Sequence, residues 1–313
     1  MPDVILHHYA VSPFAEKTRA ILGYKGLAWR SVDIPMVMPK PDLTALTGGY
    51  RKTPVLQIGC DVYCDTTLIA RRLDALSPER PVYRPEQDGM AVPAGRWLDH
   101  HLFFSVIAQL FDPAAAAASQ DTLGGPEGAA AFAKDRGPML TAARVKPPPL
   151  AKARVILDDV LRSLDAQLGA RGPFLFGEAV GWADFCAYHP LWALRANAVL
   201  APRLDAHPHL GPWLDRIRAF GHGAPTPLGS LEALEIARSS APRRRSGDGD
   251  PLPEEVAVGE MVDISADDYA FEPSVGRLVE CGPNELAIER TDERAGEVVV
   301  HFPRIGYRVR RQG

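Results

Sequence analysis

Ile5-Leu6-His7-His8-Tyr9-Ala10-Val11-Ser12-Pro13-Phe14-Ala15-Glu16-Lys17-Thr18-Arg19 opens the chain with a short apolar run, a serine-proline step and a helical pattern. Val4 to His8 reads as a buried strand. Ser12 before Pro13 reads as a helix start: the serine hydroxyl caps free N–H groups, and proline suits the first helical position. Phe14, Thr18, Ile21 and Leu22 follow at helical spacing, and Gly26 supplies a stop. Trp29 to Ile34 alternates as a second strand, and a proline-punctuated loop runs from Met36 to Pro41. A short helical turn ends at Gly48-Gly49. Thr53-Pro54-Val55-Leu56-Gln57-Ile58 reads as a strand headed by proline, which cannot donate to a sheet ladder and belongs at a strand's first residue or edge. Gly59-Cys60-Asp61 turns the chain back through Val62-Tyr63-Cys64, and Asp65-Thr66-Thr67 caps a helix carrying Leu68, Ile69, Leu73 and Leu76. The order β-α-β-(α)-β-β-α closes near residue 80 and predicts an α/β domain.

From Gly89 to about Phe220 the pattern is helical. Trp97, Leu98, His101, Leu102, Ser105 and Ile107 start one long amphipathic helix, and 113–149, rich in Ala, Gly and Pro, reads as a bend between helices. Ala151 to Leu168, Trp182 to Leu194 and Leu210 to Phe220 are further helices. Residues 238–253 are polar, rich in Gly and Pro and without periodicity, as in a linker; Arg243 to Arg245 there read as solvated charge rather than an anion patch. Beyond it, Met261 to Ile264, Gly276 to Cys281, Leu286 to Arg290, Val298 to Phe302 and Tyr307 to Arg310 are short, alternating and separated by turns. That spacing predicts a small all-β unit resembling a five-stranded barrel.

The chain's 313 residues leave room for two or three domains. A net charge of −4 gives no basic stripe for nucleic acid. No apolar run reaches the roughly 18 residues that span a bilayer, so no membrane partner is expected. Met1 to Tyr9 lacks a secretory pattern, and four cysteines make no disulfide framework; both point to the cytoplasm. Cys60 and Cys64 lack a second ligand pair at metal spacing, and scattered His8, His100 and His101 suit surfaces and interfaces, so no metal is expected.

Three features of the first 80 residues carry chemistry. A helix N-terminus behind Ser12 offers N–H groups and a partial positive charge, which favour a thiolate over a thiol of ordinary pKa, about 8.5. The same serine also serves as a plain cap. Thr53 ahead of Pro54 presents backbone to an extended peptide if the bond is cis, or simply starts a strand. Asp65 and Thr66 suit the ammonium and carboxylate of an amino-acid end, or merely cap a helix.

In combination, the stretches Ile5 to Arg19, Arg51-Lys52-Thr53-Pro54-Val55-Leu56 and Cys64-Asp65-Thr66-Thr67-Leu68-Ile69-Ala70 resemble the N-terminal domain of cytosolic glutathione S-transferases. Phe174-Leu175-Phe176-Gly177 and Ala183-Asp184-Phe185 resemble that family's helical domain. The resemblance covers about residues 1–225 and implies a thioredoxin-like glutathione-binding domain (1–82), an all-helical domain (89–225), a linker (238–253) and an extension outside the family pattern (254–313). It implies, for a serine-type bacterial member, that Ser12 activates the glutathione thiol, with Tyr9 as rival. It implies further that Thr53 and Pro54 pair with the cysteinyl part, that Asp65 and Thr66 grip the γ-glutamyl end, and that Lys52 reaches the glycyl carboxylate. Trp97, His101 and Phe104 share the helix face that should border a second-substrate pocket, or else pack into an interdomain seam. Ala15 replaces any resolving cysteine, which argues against dithiol chemistry, and Gly181 stands where a Ser or Thr often caps the central helix. The implied activity is transfer of the glutathione thiol to a small, apolar electrophile, with glutathione as co-substrate, by a possible homodimer. The alternative is a non-catalytic binding or scaffold protein that uses the β extension to contact a partner.

Overall fold

The computed structural model describes residues 3–243 and 256–312. A thioredoxin-like α/β domain is followed by an all-helical domain and a β extension. In the first, β1 (Ile5–His8), α1 (Pro13–Lys25), β2 (Ala28–Asp33), α2 (Pro41–Thr47), β3 (Val55–Ile58), β4 (Asp61–Cys64) and α3 (Thr66–Leu76) follow in order. β1 lies parallel to β2 and antiparallel to β3, and β3 turns back onto β4 with Leu56 opposite Tyr63. Side chains alternate across the sheet, so neighbours part company. Leu6, Leu56 and Tyr63 enter the core shared with α1, α3 and the helical domain. Ile5, Val55 and Val62 enter a second core beneath α2. Both faces are covered, which is why these strands read as unbroken apolar runs.

The helical run begins with α4 (Pro85–Trp97), ahead of the expected residue 89. It passes through a π-helical turn (Leu98–Leu102) into α5 (Phe103–Leu110). The expected bend at 113–149 is instead two helices, α6 (Pro113–Ala118) and α7 (Gly125–Ala142). No residue of α7 is fully buried, so it offers no apolar stripe to read. α8 (Leu150–Arg171), α9 (Trp182–Ala196) and α10 (Leu210–Arg218) complete the bundle. At the start of α9 the Asp184 carboxylate accepts from the N–H groups of Gly181 (3.0 Å) and Leu175 (2.9 Å) and from Trp213 Nε1 (2.9 Å). A Cβ at Gly181 would lie 2.2 Å from Gln87 Oε1, so Gln87 occupies the space a capping serine would need.

The chain then returns to the first domain. β5 (Ala224–Pro227) pairs parallel with β2, its prolines tolerated because it is the edge strand. α11 (Ser230–Ser239) packs against α2, in part of the stretch expected to be linker. Residues 244–253 of that stretch lie outside the described residues.

β6 (Met261–Ala266), β7 (Ser274–Cys281), β8 (Glu285–Asp292), β9 (Gly296–Pro303) and β10 (Tyr307–Arg311) form the extension. They do not close into the expected barrel. β10 pairs with β6, and β9 pairs in parallel with β4, Val62 opposite Val300. One ten-stranded sheet results, in the order β10-β6-β7-β8-β9-β4-β3-β1-β2-β5. The reason is the open edge of β4: its unpaired backbone groups find their partners in β9. Buried His301 of β9 fixes the join. Its Nε2 lies 2.8 Å from Asp61 Oδ1, its Nδ1 lies 2.5 Å from Glu285 Oε1, and its ring stacks on Tyr63 at 4.4 Å. Arg243 Nη2 donates to Glu280 (3.0 Å) and Glu285 (2.6 Å).

Candidate active site

The sheet, α1 and α5 enclose two adjoining cavities at the interdomain seam. One is a polar cleft lined by Lys52, Thr53, Pro54, Asp65 and Thr66. The other is an apolar pocket lined by Tyr9, Ser12, Phe103, Phe104, Ile107 and Leu140. Phe14, Lys52, Thr53 and Tyr269 border both.

Ser12 sits at the mouth of α1. Its backbone is extended, and its buried Oγ accepts from Ala15 N at 3.2 Å. It is the helix cap, and its hydroxyl hydrogen remains available for a second partner. Tyr9 lies beside it, its hydroxyl accepting from Arg136 Nη2 at 3.3 Å. The Thr53–Pro54 peptide is cis. Asp65 has φ 74°, a left-handed conformation costly for any residue but glycine, and such strain clusters at functional sites. One of its oxygens caps α3 by accepting from Thr67 N at 2.8 Å.

The other oxygen of Asp65 is engaged by the extension: Tyr307 donates its hydroxyl to Oδ2 at 3.1 Å, with the Tyr50 hydroxyl 3.4 Å from that of Tyr307. Lys52 is engaged likewise, its Nζ 2.6 Å from Asp268 Oδ1 and 4.0 Å from the centre of the Tyr269 ring. The extension therefore places a carboxylate on the lysine and a hydroxyl on the aspartate expected to grip the ends of a tripeptide. Pro283, Asn284 and Arg304 to Gly306 form the outer wall of the same cleft.

Sequence reading missed these groups because they approach from more than 200 residues away; a local pattern holds no sign of it. It also missed Lys40, which sits in the proline-punctuated loop. Lys40 is buried, and its Nζ donates to Thr53 Oγ1 at 3.2 Å. Burial, aided by nearby Arg136 and Arg51, brings its pKa down to about 7.

Of the three residues expected around the second-substrate pocket, only Phe104 lines it. Trp97 and His101 stack on each other at 5.1 Å, on an exposed face away from both cavities. The expectation assumed a regular α-helix. The π-turn between Leu98 and Leu102 bonds i to i+5 and turns Phe104 by roughly a quarter-turn relative to Trp97.

Beneath the seam, fully buried Lys17 bonds both oxygens of Asp99 (2.9 and 2.8 Å), and His189 Nε2 lies 2.9 Å from Asp99 Oδ1. Burial opposes ionisation of Asp99, yet Lys17 and His189 hold its pKa down to about 2. Burial brings His189 down to about 4, so at neutral pH it is an uncharged donor to Asp99. This cluster ties α1 to α4–α5 and α9. Among the described residues one group has metal-like spacing, Glu280, Glu285 and His301, but Arg243 already pairs with both carboxylates. No described helix is long and apolar enough to cross a membrane.

Residues 6–81 match the family model for the glutathione S-transferase N-terminal domain, and residues 113–216 match that for the C-terminal domain. The chain is similar over its whole length to a GST-like protein from Pseudomonas syringae, with 39% identity, 100% of each chain covered and a TM-score of 0.82. Fold alone is shared with glutathione transferase GSTFuA3 from Phanerochaete chrysosporium (16% identity, 70% of this chain and 97% of that one, TM-score 0.55). The same holds for a glutathione S-transferase-I bound with lactoylglutathione (16% identity, 76% and 99%, TM-score 0.51). No curated protein matches the sequence significantly.

Proposed function

The chain belongs to the glutathione S-transferase family, and from that premise we propose that it adds the thiol of glutathione to a small electrophile held in the apolar pocket. The observation that carries this reading is the junction of the two cavities at the N-terminus of α1, where Ser12 borders an apolar pocket and Thr53 borders both. A sulfur placed there faces the positive end of the helix dipole and the hydroxyl hydrogen of Ser12. Both favour the thiolate. The thiolate is the nucleophile, and holding it against a bound electrophile supplies the remaining rate. Thr53 would pair with the cysteinyl backbone beside Pro54. Asp65 and Thr66 would hold the γ-glutamyl end, and Lys52 the glycyl carboxylate. Tyr9 is the rival activator, but its hydroxyl already accepts from Arg136.

A second reading is a non-catalytic glutathione transferase-like binding protein whose extension narrows the cleft. The contacts of Asp268 with Lys52 and Tyr307 with Asp65 favour it.

Retention on immobilised glutathione, followed by conjugation assays on the wild type and Ser12→Ala, separates the two. The transferase binds and turns over, and Ser12→Ala lowers kcat about 100-fold or more. Loss of the cap also destabilises α1 by about 1 kcal/mol, so a melting curve accompanies the assay. Retention without turnover across a broad panel of electrophiles supports the binding protein. No retention refutes both.

A further inference from the structure

Four hydroxyls line the apolar pocket, and three of them already accept a hydrogen bond. Tyr9 accepts from Arg136, Ser12 from Ala15 N, and Thr53 from Lys40. The fourth belongs to Tyr269, in the loop between β6 and β7, and it has no hydrogen-bond partner among the described residues. The rest of Tyr269 is firmly held. Its N–H donates to Asp268 Oδ1 at 2.6 Å, and its ring lies edge-on to Phe104 at 5.5 Å and under Lys52 Nζ. The loop itself is tied to the helical domain, since Arg144 N donates to Asp268 O at 2.8 Å. A rigid phenol is thus presented to the seam with its O–H unspent.

Around it the apolar pocket is poor in donors. Phe103, Ile107, Phe132 and Leu140 offer none, and the nearby Arg51 and Arg136 are both paired with Asp135. An electrophile whose reactive carbon is conjugated to an oxygen acceptor would find in Tyr269 a phenol hydroxyl that no other described group engages.

Resting on the transferase reading above, we propose that Tyr269, supplied by the C-terminal extension, donates a hydrogen bond to the carbonyl oxygen of a conjugated electrophile and so selects that class of second substrate. The glutathione thiolate forms a C–S bond to the β-carbon. The C=C electron pair moves toward the carbonyl, and negative charge collects on its oxygen, where the Tyr269 hydroxyl stabilises the enolate without giving up its proton. The α-carbon then takes a proton from water, and the hydroxide left is neutralised by the proton lost when the thiol ionised. Burial pushes the Tyr269 pKa well above the usual range, which keeps the phenol a donor at neutral pH.

The test compares cinnamaldehyde with benzyl bromide, whose leaving halide carries the charge and which has no acceptor for Tyr269. kcat/KM is measured for the wild type and Tyr269→Phe, together with the pH titration of bound glutathione thiolate absorbance. The expected result is a cinnamaldehyde-to-benzyl bromide ratio at least tenfold lower in the variant, with the loss falling on kcat more than on KM and the thiolate titration unmoved. A parallel fall with both substrates, or a raised thiol pKa, places Tyr269 on the sulfur or in the framework and overturns the proposal. A ratio that does not change overturns it too. A wild type that retains no glutathione and conjugates neither probe instead refutes the transferase reading on which the proposal stands.

Discussion

Replacing Asp268 with asparagine asks what the extension does to the first substrate. The Lys52–Asp268 pair is 2.6 Å long, and each side chain is only 13% exposed. An exposed pair contributes about 0–1 kcal/mol, whereas breaking a buried one costs about 3–5 kcal/mol. This half-buried pair falls between, at about 1–2 kcal/mol. In the free protein Asp268 neutralises the lysine, so a glycyl carboxylate arriving at Lys52 must displace it. The Asp268→Asn change removes the charge but keeps a side-chain oxygen for the Tyr269 N–H, which leaves the loop its anchor. Lys52 then lacks a counter-charge until ligand arrives. The expected outcome is a free protein less stable by about 1–2 kcal/mol and a Kd for glutathione about 5- to 30-fold lower, read by titration calorimetry. The stabilisation by saturating glutathione, read from melting curves, grows accordingly. An unchanged or weaker affinity in Asp268→Asn would refute the reasoning: Asp268 would then be no competitor for Lys52.

Acid sensitivity follows from buried imidazoles. Burial brings His7, His8 and His189 down to about 4, so the unfolded chain protonates first. Stability is therefore lost as pH falls from about 6.5 to about 4, each histidine adding at most about 1.4 kcal/mol per pH unit. Urea melts across that range should show a shallower slope in His189→Gln; an unchanged slope would mean that His189 is charged in the folded protein. Gly23→Ala should destabilise by about 1–3 kcal/mol although alanine is the better helix former, because its Cβ would lie 2.0 Å from the Gly221 carbonyl oxygen. Gly89→Ala in α4, where a Cβ meets nothing within 4 Å, is the matched comparison and should stabilise by up to about 1 kcal/mol.

The local text of the chain determined a good deal. Apolar strands, the Ser12 cap, the Asp65 cap and the hairpin at Gly59 are short-range features whose physics is complete within a few residues, so the α/β unit and most of the helices could be read directly. Ser12, Thr53, Pro54, Asp65 and Thr66 come from that unit, and the fold places them at two adjoining cavities. The helical half was less legible where regularity failed. The π-turn at Leu98–Leu102 leaves no mark in composition, yet it separates Phe104 from Trp97 and His101, and α7, with no fully buried residue, has no stripe to betray it. The extension shows the limit most clearly. Its strands were evident from alternation, but a sheet edge accepts any strand whose backbone groups are free, and sequence does not say which edge meets which strand. Only the tertiary structure joined β9 to β4, and that join carries Asp268, Tyr269 and Tyr307 into a cleft whose other walls lie at the far end of the chain.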